Sequence, residues 1–211
     1  MSLEVLLHRF PETGTPEPGS GGRDVPEPLA GVFERMAGRT LANGFLRFHT
    51  PDSAHESYAA CARMIEGLEG RYFPFAFDWM GRELLFDIRE PGRRPRYVIA
   101  VDPAEGEYLR TDLSLDEFFV AVADEDEDAL AFPYFEEWRA TDPGSGLLGF
   151  DQVVGYKVPL SLGGEDSVAN MELTARRVYF ELSTQIALQI RDLPEGTPIS
   201  GVTVAPPEPE A

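Results

Sequence analysis

The chain predicts an α+β fold, a single domain whose mainly antiparallel central sheet is flanked by helices. Three observations lead there. Strand-like runs follow one another in close order between residues 72 and 110, and the turn between the first two is that of an antiparallel hairpin. Helical periodicity stands on both sides of that block, so strands and helices are segregated along the chain. The 211 residues are 43% hydrophobic and 26% charged, enough to bury a core without staples. Composition sets the boundaries. Residues 1–28 read as an N-terminal segment and flexible Pro/Gly-rich linker, 29–198 as the α+β domain, and 199–211 as a disordered acidic Pro/Glu-rich tail.

Residues 2–10 carry Leu3, Leu6, Leu7 and Phe10 at helical spacing and form a short helix or strand. The linker centres on Gly19-Ser20-Gly21-Gly22 and is expected to hold little structure of its own. Leu29, Val32, Phe33 and Met36 mark a brief helix that Gly38 ends, and residues 44–49 read as a strand. Pro51-Asp52-Ser53 opens a helix running to about Gly67, with Tyr58, Ala62 and Ile65 inward. Strands follow at 72–79 and 82–88, joined by Met80-Gly81, then at 96–101 and 106–110. Ser114 and Glu117 make a capping box for a helix bearing Leu115, Phe118, Phe119 and Val122. A second helix carries Ala131, Phe135 and Trp138.

Residues 155–190 organise the rest. They join an apolar strand, a double-glycine turn at Gly163-Gly164, an acidic Asn-containing loop and one long amphipathic helix. Val178, Leu182, Ile186 and Ile190 recur every fourth residue in that helix, and Tyr179 and Ala187 widen the stripe.

Eighteen basic residues against 37 acidic ones give a formal charge of −19. That balance repels nucleic acid and anionic lipid, and it steers a basic partner inward; solubility alone is the plainer reading. Cys61 is the one cysteine, so no internal disulfide forms. It sits in a helical pattern as a buried thiol suited to a reducing compartment. The run Val5-Leu6-Leu7 is too short for a signal-peptide core, and no stretch nears the ~20 apolar residues of a membrane span. A cytoplasmic chain is expected.

Motifs for chemistry fail on their context. Residues 144–149 spell GxGxxG, but a helical pattern precedes them and a strand or loop follows, the reverse of a dinucleotide site. Asp124, Asp126 and Asp128 match the first ligand positions of a calcium loop, yet the turn glycine is Ala129 and the bidentate acid is Phe135. His49 and His55 flank one turn, where Asp52 or Glu56 could join them, but turn residues with ordinary hydrogen bonds explain them better. Trp79, Trp138 and the Phe73-Phe75-Phe77 alternation suit a core more than a ligand surface. Lys157 lies among apolar neighbours and is expected to pair with an acid of the Glu165-Asp166 loop. No catalytic residue, cofactor site or metal site is assigned.

Gly155-Tyr156-Lys157-Val158-Pro159, then Leu162-Gly163-Gly164-Glu165-Asp166, Asn170 and the closing helix resemble the C-terminal domain of a bacterial immunity-protein family. The family is best known from the immunity partner of a type VI secretion DNase effector and is grouped loosely with SUKH-type immunity proteins. Residues 72–87 resemble its aromatic strand pair, with Asp78-Trp79 and Gly81-Arg82 at the turn, and residues 132–138 resemble its next helix. The resemblance spans roughly residues 33–198. It implies a protein that binds and neutralises a toxin, and it carries over no catalytic residue. The candidate partner contacts are Asp124, Glu125, Asp126, Glu127, Asp128, Glu165 and Asp166, with a basic nuclease as the expected partner. Two other readings stand beside it: a small-ligand protein or enzyme built around the aromatic strands, and a regulatory or structural module of secretion machinery.

Overall fold

Seven strands lie side by side in the order in which the chain makes them, each antiparallel to its neighbour. The computed structural model describes residues 2–19, 22–90, 92, 95–124, 130–141, 146–194, 197, 199 and 201–205. The strands are β1 (Glu12–Thr13), β2 (Thr40–Leu41), β3 (Leu46–Phe48), β4 (Tyr72–Asp78), β5 (Glu83–Asp87), β6 (Val98–Asp102) and β7 (Glu107–Arg110). A separate two-stranded sheet pairs β8 (Gln152–Tyr156) with β9 (Met171–Ala175). The described helices are α1 (Ser2–Arg9), α2 (Ala30–Met36), α3 (Pro51–Met64), α4 (Leu115–Ala123), α5 (Phe132–Thr141) and α6 (Arg176–Ile190). The chain is therefore α+β with an antiparallel central sheet, as its patterning predicts.

Local chemistry explains the turns. Asp78 Oδ1 accepts from the backbone N–H groups of Met80 and Arg82, at 2.9 Å each, and closes the β4–β5 hairpin. Ser114 and Glu117 form the predicted capping box of α4. A second box starts α3, where the Thr50 side chain accepts from Ser53 N and Ser53 returns the bond.

Strands β4, β5 and β6 are buried on both faces, and their alternate side chains sort into two apolar clusters. Leu84, Phe86, Val98 and Ala100 meet Leu6 of α1, Phe118 of α4 and Phe135 of α5. Leu85, Ile99 and Val101 meet Cys61 and Met64 of α3 and Phe180 of α6. The register of β4 shifts between Pro74 and Ala76, where proline offers no ladder N–H. Phe73 and Phe75 consequently join the first cluster, while Phe77 belongs to neither.

The structure departs from the expectations in the first 28 residues, on two helix faces, at one strand, at Lys157 and in the tail, where Thr203 and Ala205 are hydrogen-bonded to α6. Leu3, Leu6 and Phe10 are core residues and β1 edges the main sheet, so the first 28 residues contribute packing that a linker composition conceals. Glu17 N donates to Gly38 O at 2.8 Å within the same stretch. Helix α3 buries Ser53, Ala54, Ser57, Cys61 and Met64, whereas Tyr58, Ala62 and Ile65 are only half-buried. Helix α6 buries Arg176, Tyr179, Phe180, Ser183, Thr184, Ile186 and Ala187, and Val178 is 40% exposed. Both faces are rotated toward polar residues, of which Ser57 and Arg176 answer the buried Glu83 carboxylate and Ser53 the His49 ring. Strand β9 stands where a loop is expected; of its side chains only Met171 is buried, so it has no apolar alternation to announce it.

Gly155 in β8 has a packing role. A Cβ there would lie 2.5 Å from Tyr179 Cε2, inside van der Waals contact. Gly155→Ala should lower stability by about 1–3 kcal/mol, the usual range for overpacking. A urea-unfolding midpoint equal to that of the unchanged chain would contradict this close approach.

Candidate functional site

Two polar constellations stand out, one enclosed and one exposed. The enclosed one is centred on Glu83 of β5, a carboxylate only 1% exposed. Its Oε2 lies 2.8 Å from His49 Nε2, and its Oε1 accepts from Arg176 Nη1 at 2.8 Å and Ser57 Oγ at 3.1 Å. His49 Nδ1 meets Ser53 Oγ at 2.9 Å. Arg47 Nη2 donates to Asp78 O and its Nη1 to Gly149 O, at 2.9 Å each, with a further bond to Gln152 O. The two guanidinium groups lie over the Phe77 ring, with Cζ 4.6 Å from the centroid for Arg47 and 4.5 Å for Arg176.

The electrostatics follow from burial and pairing. Burial alone would raise the Glu83 carboxyl, but His49, Arg176 and Ser57 outweigh it and hold it below its ordinary value. Burial lowers the His49 imidazole despite Glu83, so the ring is neutral at pH 7 and donates from Nε2. Arg47 falls to about 9, through burial first and the Arg176 charge second. Both oxygens of Glu83 are engaged and the group is shut away from solvent. It joins β3, β5, α3 and α6, and Arg47 ties β3 to the approach of β8. This network fastens the C-terminal unit to the sheet. It is a structural device, since a substrate has no access to it.

The histidines are thereby resolved. His49 is consumed by Glu83 and Ser53, while His55 Nε2 meets Asp24 O at 2.8 Å. Among the described residues no group of three or more His, Cys, Asp or Glu side chains could hold a metal ion. Trp79 and Trp138 are core residues, and Trp79 Nε1 donates to Leu130 O at 3.0 Å. Cys61 is buried, and burial pushes its thiol well up. In the GxGxxG run, Gly144 and Ser145 lie outside the described residues, as do Glu125, Asp126, Glu127 and Asp128. Asp124 is described, exposed at the C-terminal end of α4.

The segment from Gly155 to Asn170 is stitched by its asparagine. Asn170 Oδ1 accepts from Val158 N at 3.0 Å, and its Nδ2 donates to Val158 O and Glu165 O at 2.9 Å each. Leu162 ends a short 3-10 turn capped by Gly163 at φ +85, and a Cβ on Gly164 would sit 1.9 Å from Val158 O. Lys157 does not pair with the acidic loop. Its Nζ donates to Ala169 O at 2.8 Å instead. Asp166 is held by two tyrosines: Tyr156 Oη donates to its Oδ1 at 2.5 Å and Tyr134 Oη at 3.4 Å.

Those tyrosines fix Asp166 on an exposed acidic face. Glu105, in the β6–β7 turn, is raised by burial and by the negative charges of Asp102, Glu107 and Asp166. Asp102 is raised by burial too, against the pull of Arg82. Tyr134 is pushed up to about 12, by burial and then by Asp166. Burial is the larger cause in both carboxyl groups, but the like charges around Glu105 also disfavour its ionised form, and a cation brought to this face would relieve that part. Of the predicted contacts, Asp166 lies in this cluster and Glu165 is its exposed neighbour. Asp102, Glu105 and Glu107 escaped sequence reasoning, because acids are abundant and only the fold brings the β6–β7 turn beside the loop after β8.

The structure thus combines an antiparallel meander, an appended helix–strand unit, an enclosed polar fastening and a charged outer face. Its fold is similar to that in the "Crystal structure of Atu4351 from Agrobacterium tumefaciens", with a TM-score of 0.55 over 86% of this chain and 88% of that one, at 16% identity. Residues 112–187 match the family model described as T6SS immunity protein Tdi1, C-terminal. The resemblance to a type VI secretion immunity family, read from Gly155, Tyr156, Lys157, Leu162, Gly163, Gly164 and Asn170, holds over that stretch. The aromatic strands with Trp79 lie upstream of it. No curated protein matches the chain. Among the described residues no helix is long and apolar enough to cross a membrane.

Proposed function

We propose that this chain is an immunity protein that binds a cognate effector toxin and covers its working surface. The match of residues 112–187 to a type VI secretion immunity family carries the reading. The acidic face supports its finer part, a toxin with a basic surface such as a nuclease. The exposed carboxyl groups of Glu105, Glu107 and Asp166 there offer negative charge that a lysine- or arginine-rich surface would neutralise. The chain acts in the compartment where its own cell would meet the toxin, the cytoplasm for a nuclease. It uses no cofactor and does no chemistry on the toxin.

A growth rescue tests this. The toxin candidate encoded beside the gene is induced with and without this chain. Rescue together with a co-purifying complex is the expected result. A toxic neighbour that is neither rescued nor bound would overturn the proposal.

A further inference from the structure

Helix α6 carries two glutamines one turn apart, and each makes a matched pair of bonds with the backbone of one residue in segment 201–205. Gln185 Oε1 accepts from Ala205 N at 2.8 Å, and its Nε2 donates to Ala205 O at 3.2 Å. Gln189 Oε1 accepts from Thr203 N at 3.0 Å, and its Nε2 donates to Thr203 O at 2.8 Å. A primary amide thus supplies the donor and acceptor that a neighbouring strand residue would supply in an antiparallel ladder.

The spacings agree. Residues four apart on a helix are separated by about 6 Å along its axis. Alternate residues of an extended chain are about 6.6–6.8 Å apart. A backbone running antiparallel to α6 therefore meets both amides in register. The side chains are also held in advance. Gln185 Nε2 donates to Glu181 Oε1 at 2.9 Å, and Arg63 grips Glu181 at 2.7 Å. Gln189 Nε2 donates to Gln185 O at 3.0 Å. Both N–H groups and the oxygen of each amide are in use. Val204, between the two paired residues, remains 41% exposed, so recognition falls on the backbone and not on side chains.

We infer that Gln185 and Gln189 form a binding site for an extended peptide strand, occupied in this chain by its own residues 203–205. The site takes any extended segment that offers N–H and C=O groups at two alternate positions and proline at neither. Segment 203–205 is a strap that must leave before another strand enters. This holds whether or not the chain is an immunity protein.

Amide hydrogen exchange on the full chain tests the pairing. After correction for intrinsic rates, Thr203 and Ala205 should exchange about fivefold or more slowly than Val204. Gln185→Ala should release Ala205, and Gln189→Ala should release Thr203, with β5 amides unchanged as the control for folding. Equal exchange at 203, 204 and 205 overturns the site. A second measurement tests entry from outside. In the full chain with Thr203→Pro and Ala205→Pro, the tail loses both donors and the site opens. The blocked peptide Gly-Val-Thr-Val-Ala at millimolar concentration should then shift the Gln185 and Gln189 side-chain amide resonances, and should leave those of the unchanged chain where they are. No shift in the proline variant overturns binding of an external strand.

Discussion

Glu83→Gln should destabilise the fold by about 3–5 kcal/mol, the range for removing one partner of a buried ion pair. The loss exceeds that of one hydrogen bond, because Arg176 and His49 remain buried after their shared carboxylate is gone. Glutamine has nearly the same shape, so the effect isolates charge and acceptor capacity from volume. Denaturant unfolding measures it, and a loss under about 1 kcal/mol would show that the network contributes little. The companion triple variant His49→Leu, Glu83→Leu, Arg176→Met removes the carboxylate together with the two groups that share it, and leaves Arg47 on its backbone carbonyls. It should recover much of the loss, because neither Arg176 nor His49 is then left without its partner.

The same network sets a pH dependence. The folded value of His49 is lowered, so its contribution is complete above about pH 6.5 and declines as pH falls below that. The folded value of Glu83 is lowered too, so its contribution is complete above about pH 4.5 and is lost as pH falls further. Both act in one direction. Glu83 raises the His49 ring against burial, so without it acidification costs the fold more: the stability gap between the unchanged chain and Glu83→Gln should widen as pH falls below about 6.5 and narrow again below about 4.5, where the unfolded carboxyl gains its proton. A constant gap would mean that Glu83 does not carry its charge in the folded protein.

Charge reversal on the acidic face should have the largest effect on binding. Glu105→Lys with Glu165→Lys is expected to slow association with a basic toxin about tenfold or more at low salt, with the difference shrinking as salt screens the field. Both residues are exposed, so the variant should fold normally. Glu105 sits among Asp102, Glu107 and Asp166, and its reversal removes a repulsion from the free protein. Unchanged association rates, measured with the complex from the growth rescue, would remove this face from the interface. Asp124→Lys then tests the other predicted contact region separately.

Local signals in this chain reported local structure well. The capping box at Ser114 and Glu117, the hairpin turn at Met80-Gly81 and the closing helix each depend on residues within a few positions, and each stands where its pattern puts it. The Gly155 to Asn170 segment was legible for a similar reason. Its turn needs residues without a Cβ, and its stitching runs through one asparagine. Helix faces were less legible. Periodicity of apolar residues placed Val178 and Leu182 inward, but α6 turns so that Arg176 reaches Glu83.

What the sequence determined by itself was the class of fold, the order of the elements, the excess of negative charge and the likeness to an immunity family. What only the tertiary structure decided was which charges are hidden and which are shown. Arg176 and Glu83 are 93 residues apart, and nothing near either one announces the other. Desolvation makes an unpaired buried charge prohibitively unfavourable, so burial and pairing arise together from long-range packing. The exposed acidic face has the same origin, because the β6–β7 turn and the loop after β8 become neighbours only when the two sheets are fastened together.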